Sequence, residues 1–378
     1  MQSGRRLFLK NAALILPAVT FMPSSLLKAA SSKRLRIGFI GTGTWGRQYL
    51  EAALSNRQLD ISAICETSDT ARRDALKLFN AAGYTKPALY DDYHQLLSNP
   101  ALDAVIIATP ADQHYAIAAA ALRQGKHVAC GPIMGSTLEE HRHIVQLSRQ
   151  TGKHYFTLDE HSYRPDLLAM TAMVKDGRFG QLESIYAGAC SINIPQQENG
   201  YPLYPMALME NLLRLSDANK YTALRIEKNT EEYVVKVKNP KSGKTYSSIR
   251  QGEITTICLS TTTGQQVRLQ AEAGHSTGFR IKGTTGSWVD YTGSIYLQNN
   301  AHPQNVWESA APHLRQYAVA TTGATSLALS GFINIIQNKS HHLPVYAAAT
   351  NSVITVLAAK SARLGGASLA FPDFTTAS

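Results

Sequence analysis

The sequence lacks the features that are typical of membrane, repeat, nucleic-acid-binding and zinc-binding proteins. No internal run reaches the roughly 18 apolar residues that a membrane-spanning helix needs, and no repeat or low-complexity tract is visible. Clusters of Lys and Arg with interleaved aromatic residues are missing, which argues against a nucleic-acid partner. The four cysteines form no Cys-x-x-Cys pair and no zinc-like His/Cys spacing occurs, so we expect no metal site.

The remaining composition is that of an ordinary globular protein. The 378 residues are 44% hydrophobic and 17% charged, and the chain is long enough for two domains with full cores. The formal net charge is +10. Residues 1–30 hold four of the basic residues and no acidic one, so the rest of the chain carries +6.

The N-terminus has the pattern of a twin-arginine export signal. The pair Arg5-Arg6 precedes Phe and Lys at the usual offsets, and an apolar stretch over 12–22 leads into a region of small residues. We expect residues 1–30 to direct export to the periplasm and then to be removed, which leaves no membrane span. The alternative is an N-terminal amphipathic helix.

A glycine-rich turn, Gly41-Thr-Gly-Thr-Trp-Gly46, directly follows the apolar run 35–40. Between a strand and a helix, the first glycine permits a tight turn. The second lets the backbone approach a pyrophosphate, and the third lets the helix pack closely. The helix N-terminus then presents N–H groups to the phosphates. The pattern predicts a dinucleotide site with contacts from Gly41, Gly43, Thr44, Trp45 and Gly46.

The carboxylate of Glu66 specifies the expected nucleotide. Glu66 follows a second apolar segment, 60–65, about 20 residues after the turn, where the dinucleotide fingerprint has its acidic residue. A carboxylate there accepts hydrogen bonds from ribose hydroxyls and repels a 2′-phosphate, so we expect NAD rather than NADP. Arg72 and Arg73 either soften this preference or are surface charges of the next helix.

Hydrophobic patterns divide the chain into two domains of α/β character. Strand and helix patterns alternate over 33–159, which predicts a Rossmann-type, doubly wound parallel sheet. One helix, over 137–151, opens with a Ser136-x-x-Glu139 capping box. Residues 160–378 are richer in strands and predict an α+β domain with a large, mainly antiparallel sheet.

Two cysteines, Cys190 and Cys258, lie in predicted strands of the second domain. Export would permit a disulfide between them. Two free thiols are the alternative.

Further landmarks connect the sequence to a known family. Ala108-Thr-Pro110 with His114, Gly125-Lys-His-Val128 and Ile281-Lys-Gly-Thr-Thr-Gly286 accompany the glycine turn. With them, nearly the whole chain after the signal resembles the Gfo/Idh/MocA oxidoreductases. The resemblance implies hydride transfer between NAD and a carbohydrate, in a homo-oligomer that is a dimer or tetramer. The expected cofactor contacts then extend to Thr109, Pro110, His114, Cys130, Pro132 and Glu160.

A narrower similarity is to the exported NAD-dependent glycosidases of glycoside hydrolase family 109. It rests on Thr151-Gly-Lys-His154, Tyr201-Pro202, Leu343-Pro-Val-Tyr-Ala-Ala348 and Phe371-Pro-Asp-Phe374. Those enzymes keep NAD bound, oxidise a sugar hydroxyl transiently, eliminate the leaving group, add water and return the hydride. The similarity implies a glycoside as the alternative substrate, with no net consumption of NAD.

Two departures from the family pattern affect proton transfer. Glu-Lys-Pro is usual after the fifth strand, whereas this chain has Cys130-Gly131-Pro132, and glycine has no titratable group. The glycosidases carry a histidine after Tyr-Pro-Thr, where this chain has Tyr204. The usual acid/base groups are therefore replaced.

The candidate catalytic residues are Tyr163, Tyr204 and His161. A tyrosine can act as acid or base if its pKa of about 10 is lowered by a cation or by NAD⁺. His161 follows a strand end, where ligands of open α/β sheets bind, and its pKa suits neutral pH. Of the adjacent carboxylates Asp159 and Glu160, we expect only Glu160 to face the pocket. The alternatives are tyrosines that only pack and a histidine in a surface loop.

These patterns support three functions. The leading hypothesis is an exported NAD-binding oxidoreductase acting on a carbohydrate. The second is a glycosidase that retains NAD. The third is a non-catalytic sugar- or NAD-binding protein, which the absence of the usual Lys and His motivates.

Overall fold

The structure, a computed structural model, describes residues 34–188, 220–238, 242, 245–271, 279–289, 294–298, 304–305, 323–338 and 344–375. The predicted export signal and Tyr204 lie outside these ranges. The chain divides into two compact units. The first contains the described residues up to Leu158 and those within 322–348, and the second contains the rest.

A parallel six-stranded sheet forms the centre of the first unit. Its strands are β1 (Leu35–Ile40), β2 (Leu59–Cys65), β3 (Ala88–Tyr90), β4 (Ala104–Ile107), β5 (His127–Cys130) and β6 (Tyr155–Thr157). They lie in the order β3-β2-β1-β4-β5-β6. The helices between them are α1 (Thr44–Leu54), α2 (Asp69–Ala81), α3 (Tyr93–Leu97), α4 (Ala111–Arg123) and α5 (Leu138–Thr151). This order confirms the predicted Rossmann fold and places a topological switch point between β1 and β4.

The strands of this sheet are buried on both faces, as expected for parallel strands covered by helices. All four residues of β4 are buried, and Ile37 and Phe39 of β1 have no exposed surface. Tyr49 and Leu50 of α1 are equally buried. The core therefore fixes the carboxyl ends of β1 and β4, where the glycine turn begins and the Thr109 segment follows.

The N-terminus of α5 carries a capping box, one residue later than the sequence predicts. The Thr137 side chain accepts a hydrogen bond from the Glu140 N–H, and the Glu140 carboxylate accepts one from the Thr137 N–H. The predicted pair Ser136 and Glu139 is wrong because Thr137, with extended backbone, is the last residue before the helix.

A helix from the C-terminal part of the chain belongs to the first unit. It is α7 (Ala324–Asn338), and it contacts α1. Its Phe332 ring lies 6.0 Å from the ring of Phe156 in β6. The first unit therefore includes a segment far beyond the predicted boundary at residue 159.

The second unit contains a nine-stranded sheet. Its helical segments are a 3₁₀ turn (Glu160–Tyr163), α6 (Pro165–Lys175) and the part of α8 (Pro344–Arg363) after Ala348. Its strands are β7 (Leu182–Gly188), β8 (Tyr221–Lys238), β9 (Thr245–Thr261), β10 (Gln266–Ala271), β11 (Phe279–Gly283), β12 (Gly286–Val289), β13 (Ser294–Leu297), β14 (Gln304–Asn305) and β15 (Leu369–Ala370). The order is β14-β13-β12-β11-β7-β10-β9-β8-β15. Among the described strands of this sheet, only β7 and β10 pair in parallel, which confirms a mainly antiparallel sheet.

Cys258 in β9 is a free, buried thiol, whereas Cys190, its possible disulfide partner, lies outside the described residues. Burial is the main cause that raises the pKa of this thiol to about 11. None of the described helices is long and apolar enough to cross a membrane.

Candidate functional site

The glycine turn between β1 and α1 forms a cradle without side chains. Gly41 has φ of +86°, and a Cβ there would lie 2.7 Å from the carbonyl oxygen of Ala108. A Cβ on Gly46 would overlap the Gly41 carbonyl oxygen. A Cβ on Gly43 would have no atom within 4 Å apart from those of Gly43 and its chain neighbours, and Gly43 begins α1 without a side-chain cap. Thr44 is exposed and Trp45 half-buried in the first turn. This open space at a helix N-terminus fits a pyrophosphate.

Glu66 at the end of β2 is joined to the glycine turn by hydrogen bonds. The Thr42 N–H donates to Oε2 at 2.6 Å, and the Thr42 hydroxyl donates to the same oxygen at 3.1 Å. The Ser68 N–H donates to Oε1 at 2.8 Å. A carboxylate has about four acceptor positions, so about one remains for a ribose hydroxyl, and a second would have to displace a present donor such as the Thr42 hydroxyl. The sequence pattern did not indicate this role of Thr42.

Arg72 is held by other groups near Glu66. Its Nη2 donates to the Glu66 carbonyl oxygen at 2.9 Å and forms an ion pair with Asp91 at 2.7 Å. The Arg73 guanidinium donates to Thr70 on its own helix at 3.3 Å. Neither arginine is placed as a dedicated partner for a 2′-phosphate, which agrees with a preference for NAD.

The segment after β4 provides an unsatisfied polar atom. The Thr109 Oγ1 is buried and has no hydrogen-bond partner among the described residues. Pro110 is exposed and begins α4. An orphaned hydroxyl beside the switch point fits a polar group of a bound ligand. Together with the glycine cradle and Glu66, it shows that the residues present fit a dinucleotide.

His114 in α4 connects two loops at the carboxyl edge of the sheet. Its Nδ1 lies 2.6 Å from the carbonyl oxygen of Ile133, and its Nε2 lies 2.8 Å from that of Thr109. Burial disfavours the charged ring, but the neighbouring Cys130 and the two carbonyl groups outweigh it. They raise the pKa of His114 to about 9. Only 4% of the residue is exposed, so His114 shapes the site from beneath its surface.

The segment Cys130-Gly131-Pro132 fits closely against this histidine. A Cβ on Gly131 would lie 2.7 Å from Cε1 of His114. Cys130 has no exposed surface, so neither its thiol nor its backbone faces a ligand directly, whereas Pro132 is half-buried. Burial and the neighbouring Cys130 raise the pKa of Tyr155 well above its usual value. Cys130 and Gly131, which replace the usual Glu and Lys, thus lie where the His114 ring leaves little room for a larger side chain.

The described catalytic candidates lie at the start of the second unit. Asp159 is buried and accepts a hydrogen bond of 2.5 Å from Ser162, whereas Glu160 is half-buried. Burial and the Asp159 carboxylate raise the pKa of Tyr163 well above 10. The described surroundings of Tyr163 therefore raise its pKa, whereas an acid/base role requires that it be lowered. His161 lies in the 3₁₀ turn, and Tyr204 falls outside the described residues.

The fold and the cradle define the first unit as an NAD-binding Rossmann domain. Residues 35–158 match the profile of the Gfo/Idh/MocA oxidoreductase family, NAD-binding Rossmann fold. Residues 189–378 match the profile of the glycosyl hydrolase 109 C-terminal domain. The chain therefore belongs to glycosyl hydrolase family 109 within the Gfo/Idh/MocA oxidoreductases.

Individual proteins resemble the chain over most of its length. It is 26% identical to a glycosyl hydrolase family 109 protein of Stenotrophomonas maltophilia, over 97% of this chain and 96% of that protein. It is 25% identical to an alpha-N-acetylgalactosaminidase of Tannerella forsythia, over 91% of this chain and 87% of that protein. Among solved structures, levoglucosan dehydrogenase in complex with NADH and levoglucosan superposes with a TM-score of 0.65. That match has 14% identity and covers 90% of this chain and all of the other.

Proposed function

We propose that the protein is an NAD-binding enzyme that transfers a hydride between the nicotinamide and a carbon of a carbohydrate. The observation that carries the proposal is the side-chain-free cradle at Gly43 together with the Glu66 carboxylate at the end of β2. The NADH and levoglucosan named for the structural neighbour support the substrate class. The proposed cofactor contacts are Gly41, Gly43, Thr44, Trp45, Gly46, Glu66, Thr109, Pro110, His114, Cys130, Pro132 and Glu160.

Proton transfer is assigned to residues other than position 131. When bound, NAD supplies the acceptor and donor of the hydride. Oxidation of a hydroxyl also releases a proton, and Gly131 cannot accept it. The proposed acid/base groups are Tyr163, Tyr204 and His161. Burial and the Asp159 carboxylate keep Tyr163 protonated at neutral pH, so it accepts this proton only if a bound cation lowers its pKa.

A second candidate function is glycoside hydrolysis with retained NAD. The match of residues 189–378 to the glycosyl hydrolase 109 C-terminal domain favours it, as does the activity named for the Tannerella forsythia relative. Oxidation to a ketone acidifies the adjacent C–H, and loss of that proton expels the leaving group. Water then adds to the double bond and the hydride returns to the sugar. The reaction leaves the nucleotide unchanged.

One set of measurements separates these functions. Protein purified without added nucleotide is denatured and its extract assayed for NAD. The native protein is then given free sugars with NAD, and separately 4-nitrophenyl glycosides beginning with the α-N-acetylgalactosaminide. Accumulation of NADH supports the dehydrogenase, and release of nitrophenol without accumulated NADH supports the glycosidase. Sugar binding with neither product over hours would contradict both and favour a non-catalytic binding protein.

We also propose export by the twin-arginine route to the periplasm, in folded form with NAD bound. The Arg5-Arg6 pattern supports it, and a tightly held, recycled cofactor suits a compartment with little free NAD. Replacement of both arginines by lysine should retain the protein in the cytoplasm, as fractionation would measure. Periplasmic protein from that variant would contradict the route.

A homo-oligomer, either a dimer or a tetramer, is the proposed assembly, with residues 160–378 as the substrate and oligomerisation domain. Light scattering after size exclusion tests it, and a monomer at all concentrations would contradict it.

A further inference from the structure

Both ring nitrogens of His114 face groups that can only accept hydrogen bonds. The partners are the backbone carbonyl oxygens of Ile133 at 2.6 Å and Thr109 at 2.8 Å. Neutral imidazole has one N–H and one bare nitrogen, whereas imidazolium donates from both. A neutral ring would place a nitrogen lone pair against a carbonyl oxygen at hydrogen-bond distance. Two carbonyl partners at these distances therefore favour the cation, whichever tautomer the neutral ring would prefer.

The surroundings of His114 keep this charge in place. The residue is 4% exposed, and no ion pair between it and a carboxylate is present in the described part of the chain. Among the described residues, the titratable group that faces the ring is Cys130 of β5, and attraction to it and a side-chain hydrogen bond with it favour the charged ring. Cys130 in turn faces Tyr155 of β6. Because a Cβ at 131 would lie 2.7 Å from Cε1, glycine at that position leaves the space that the ring occupies.

The order of the strands relates the charge to the two ends of a dinucleotide. Glu66 stands at the end of β2, on the adenosine side, and the phosphate cradle follows β1. The crevice of such a sheet continues from the switch point over β4 and β5. His114 bonds to the loops that follow β4 and β5. Its charge thus lies on the nicotinamide side of the crevice.

We propose that His114 is a positioning residue that supplies a fixed positive charge on the nicotinamide side, in place of the ammonium absent at position 131, and favours bound NADH over bound NAD⁺. The inference rests on the proposed NAD-dependent function. The nicotinamide ring is cationic in NAD⁺ and neutral in NADH, so a nearby fixed cation disfavours the oxidised form. The consequence is a stronger tendency of bound NAD⁺ to accept a hydride. His114 donates no proton to substrate, because both its N–H groups are engaged.

The first test is independent of any nucleotide. In ¹⁵N-labelled protein, the ring signals of His114 are assigned by their loss in His114→Phe, since the chain has 12 histidines. Two protonated ring nitrogens are expected at pH 7.5, with deprotonation only at a pH of about 9. A bare ring nitrogen at pH 7.5 would overturn the inference, even if NAD binds.

The second test measures the effect on the cofactor. Calorimetry gives the dissociation constants of NAD⁺ and NADH for the wild type, His114→Gln and the control His143→Gln. His143 is a suitable control because it lies in the neighbouring helix α5, where it bonds to Tyr115 at 2.7 Å. The preference for NADH should fall roughly tenfold in His114→Gln and stay unchanged in the control. An equal preference in all three proteins would refute the proposal.

Two other outcomes, a wild type that binds no nucleotide and a His114→Gln variant that does not fold, are distinguished from an unchanged preference for NADH. If the wild type binds neither nucleotide, the proposed function fails, whereas the charge of His114 is still decided by the ring signals. If His114→Gln does not fold, the wild type is measured at pH 7.5 and pH 10. The preference for NADH should decline between these values as the ring loses its charge, and a constant preference would overturn the proposal.

Discussion

Replacement of Gly131 by alanine should destabilise the first unit through a single contact. The new Cβ would lie 2.7 Å from Cε1 of His114, about 1 Å closer than carbon atoms in ordinary contact. Gly131 does not have a positive φ, so backbone strain does not add to the effect. The ring has to move by about that distance, and its hydrogen bonds of 2.6 and 2.8 Å cannot both survive the shift.

The expected loss in the free energy of unfolding follows from the positive charge of the hydrogen-bond donor, His114. A hydrogen bond from a charged group contributes about 1.5–3 kcal/mol, so Gly131→Ala should lower the free energy of unfolding by about 2–3 kcal/mol. Urea unfolding of a double-mutant cycle measures it, because the loss should disappear when His114 is already alanine. Gly43→Ala is the control in open space, with an expected loss below about 1 kcal/mol. An equal loss with and without His114 would refute the reasoning, as would a Gly131→Ala protein of wild-type stability.

Other predictions concern pH and the nucleotide. The folded-state pKa of His114 is about 9 against 6.5 for the free group, so its stabilisation, about 3 kcal/mol, is complete below pH 6.5 and lost as pH rises to 9. Burial, with neighbouring cations, lowers the pKa of His127 to about 4, so stability also falls as pH drops from 6.5 towards 4. Urea titrations should therefore show a maximum near pH 6.5, and a flat profile from 4 to 9 would contradict both assignments. Glu66→Gln should weaken NAD binding roughly tenfold and reduce the discrimination against NADP in calorimetry, because the ribose acceptor and its repulsive charge are lost; unchanged selectivity would argue against the role of this carboxylate. Arg72→Ala should leave NADP affinity unchanged, since Asp91 already holds the guanidinium; a loss of NADP binding would show otherwise.

The part of the site that follows from short sequence patterns was predictable. A glycine turn directly after an apolar run fixes a strand, a turn and a helix start within about ten residues. The contacts that join distant segments were not. His114 reaches a carbonyl 19 residues away, and its fit with Gly131 depends on the pairing of β4 with β5. No spacing rule encodes such a contact, because it arises only when two loops meet at the edge of the sheet.

In the fold as well, elements with a clear local pattern were predictable, and those that depend on contacts between distant segments were not. The strand–helix alternation up to β6 gave the class and approximate bounds of the first unit. By contrast, the pattern predicts strands only over 233–237 and 253–260, whereas β8 and β9 are 18 and 17 residues long. The stretch Glu227-Lys-Asn-Thr-Glu-Glu232 has no apolar alternation, and its pairing with β9 makes it a strand. Likewise, the pattern predicts a helix over 345–364, where α8 forms, but it predicts neither α7 nor the unit on which α7 packs.

A lysine in the triplet Cys130-Gly131-Pro132 would supply both a positive charge and a transferable proton, and in this chain different residues have to supply them. Gly131 has neither. His114 contributes the charge, but its protons are engaged by Thr109 and Ile133. Tyr163 keeps its proton at neutral pH because burial and Asp159 raise its pKa, so it is not the base there. We therefore expect Tyr204 or His161 to accept the hydroxyl proton. In such an enzyme the preference for NADH titrates with His114, whereas the rate of hydride transfer titrates with a different residue.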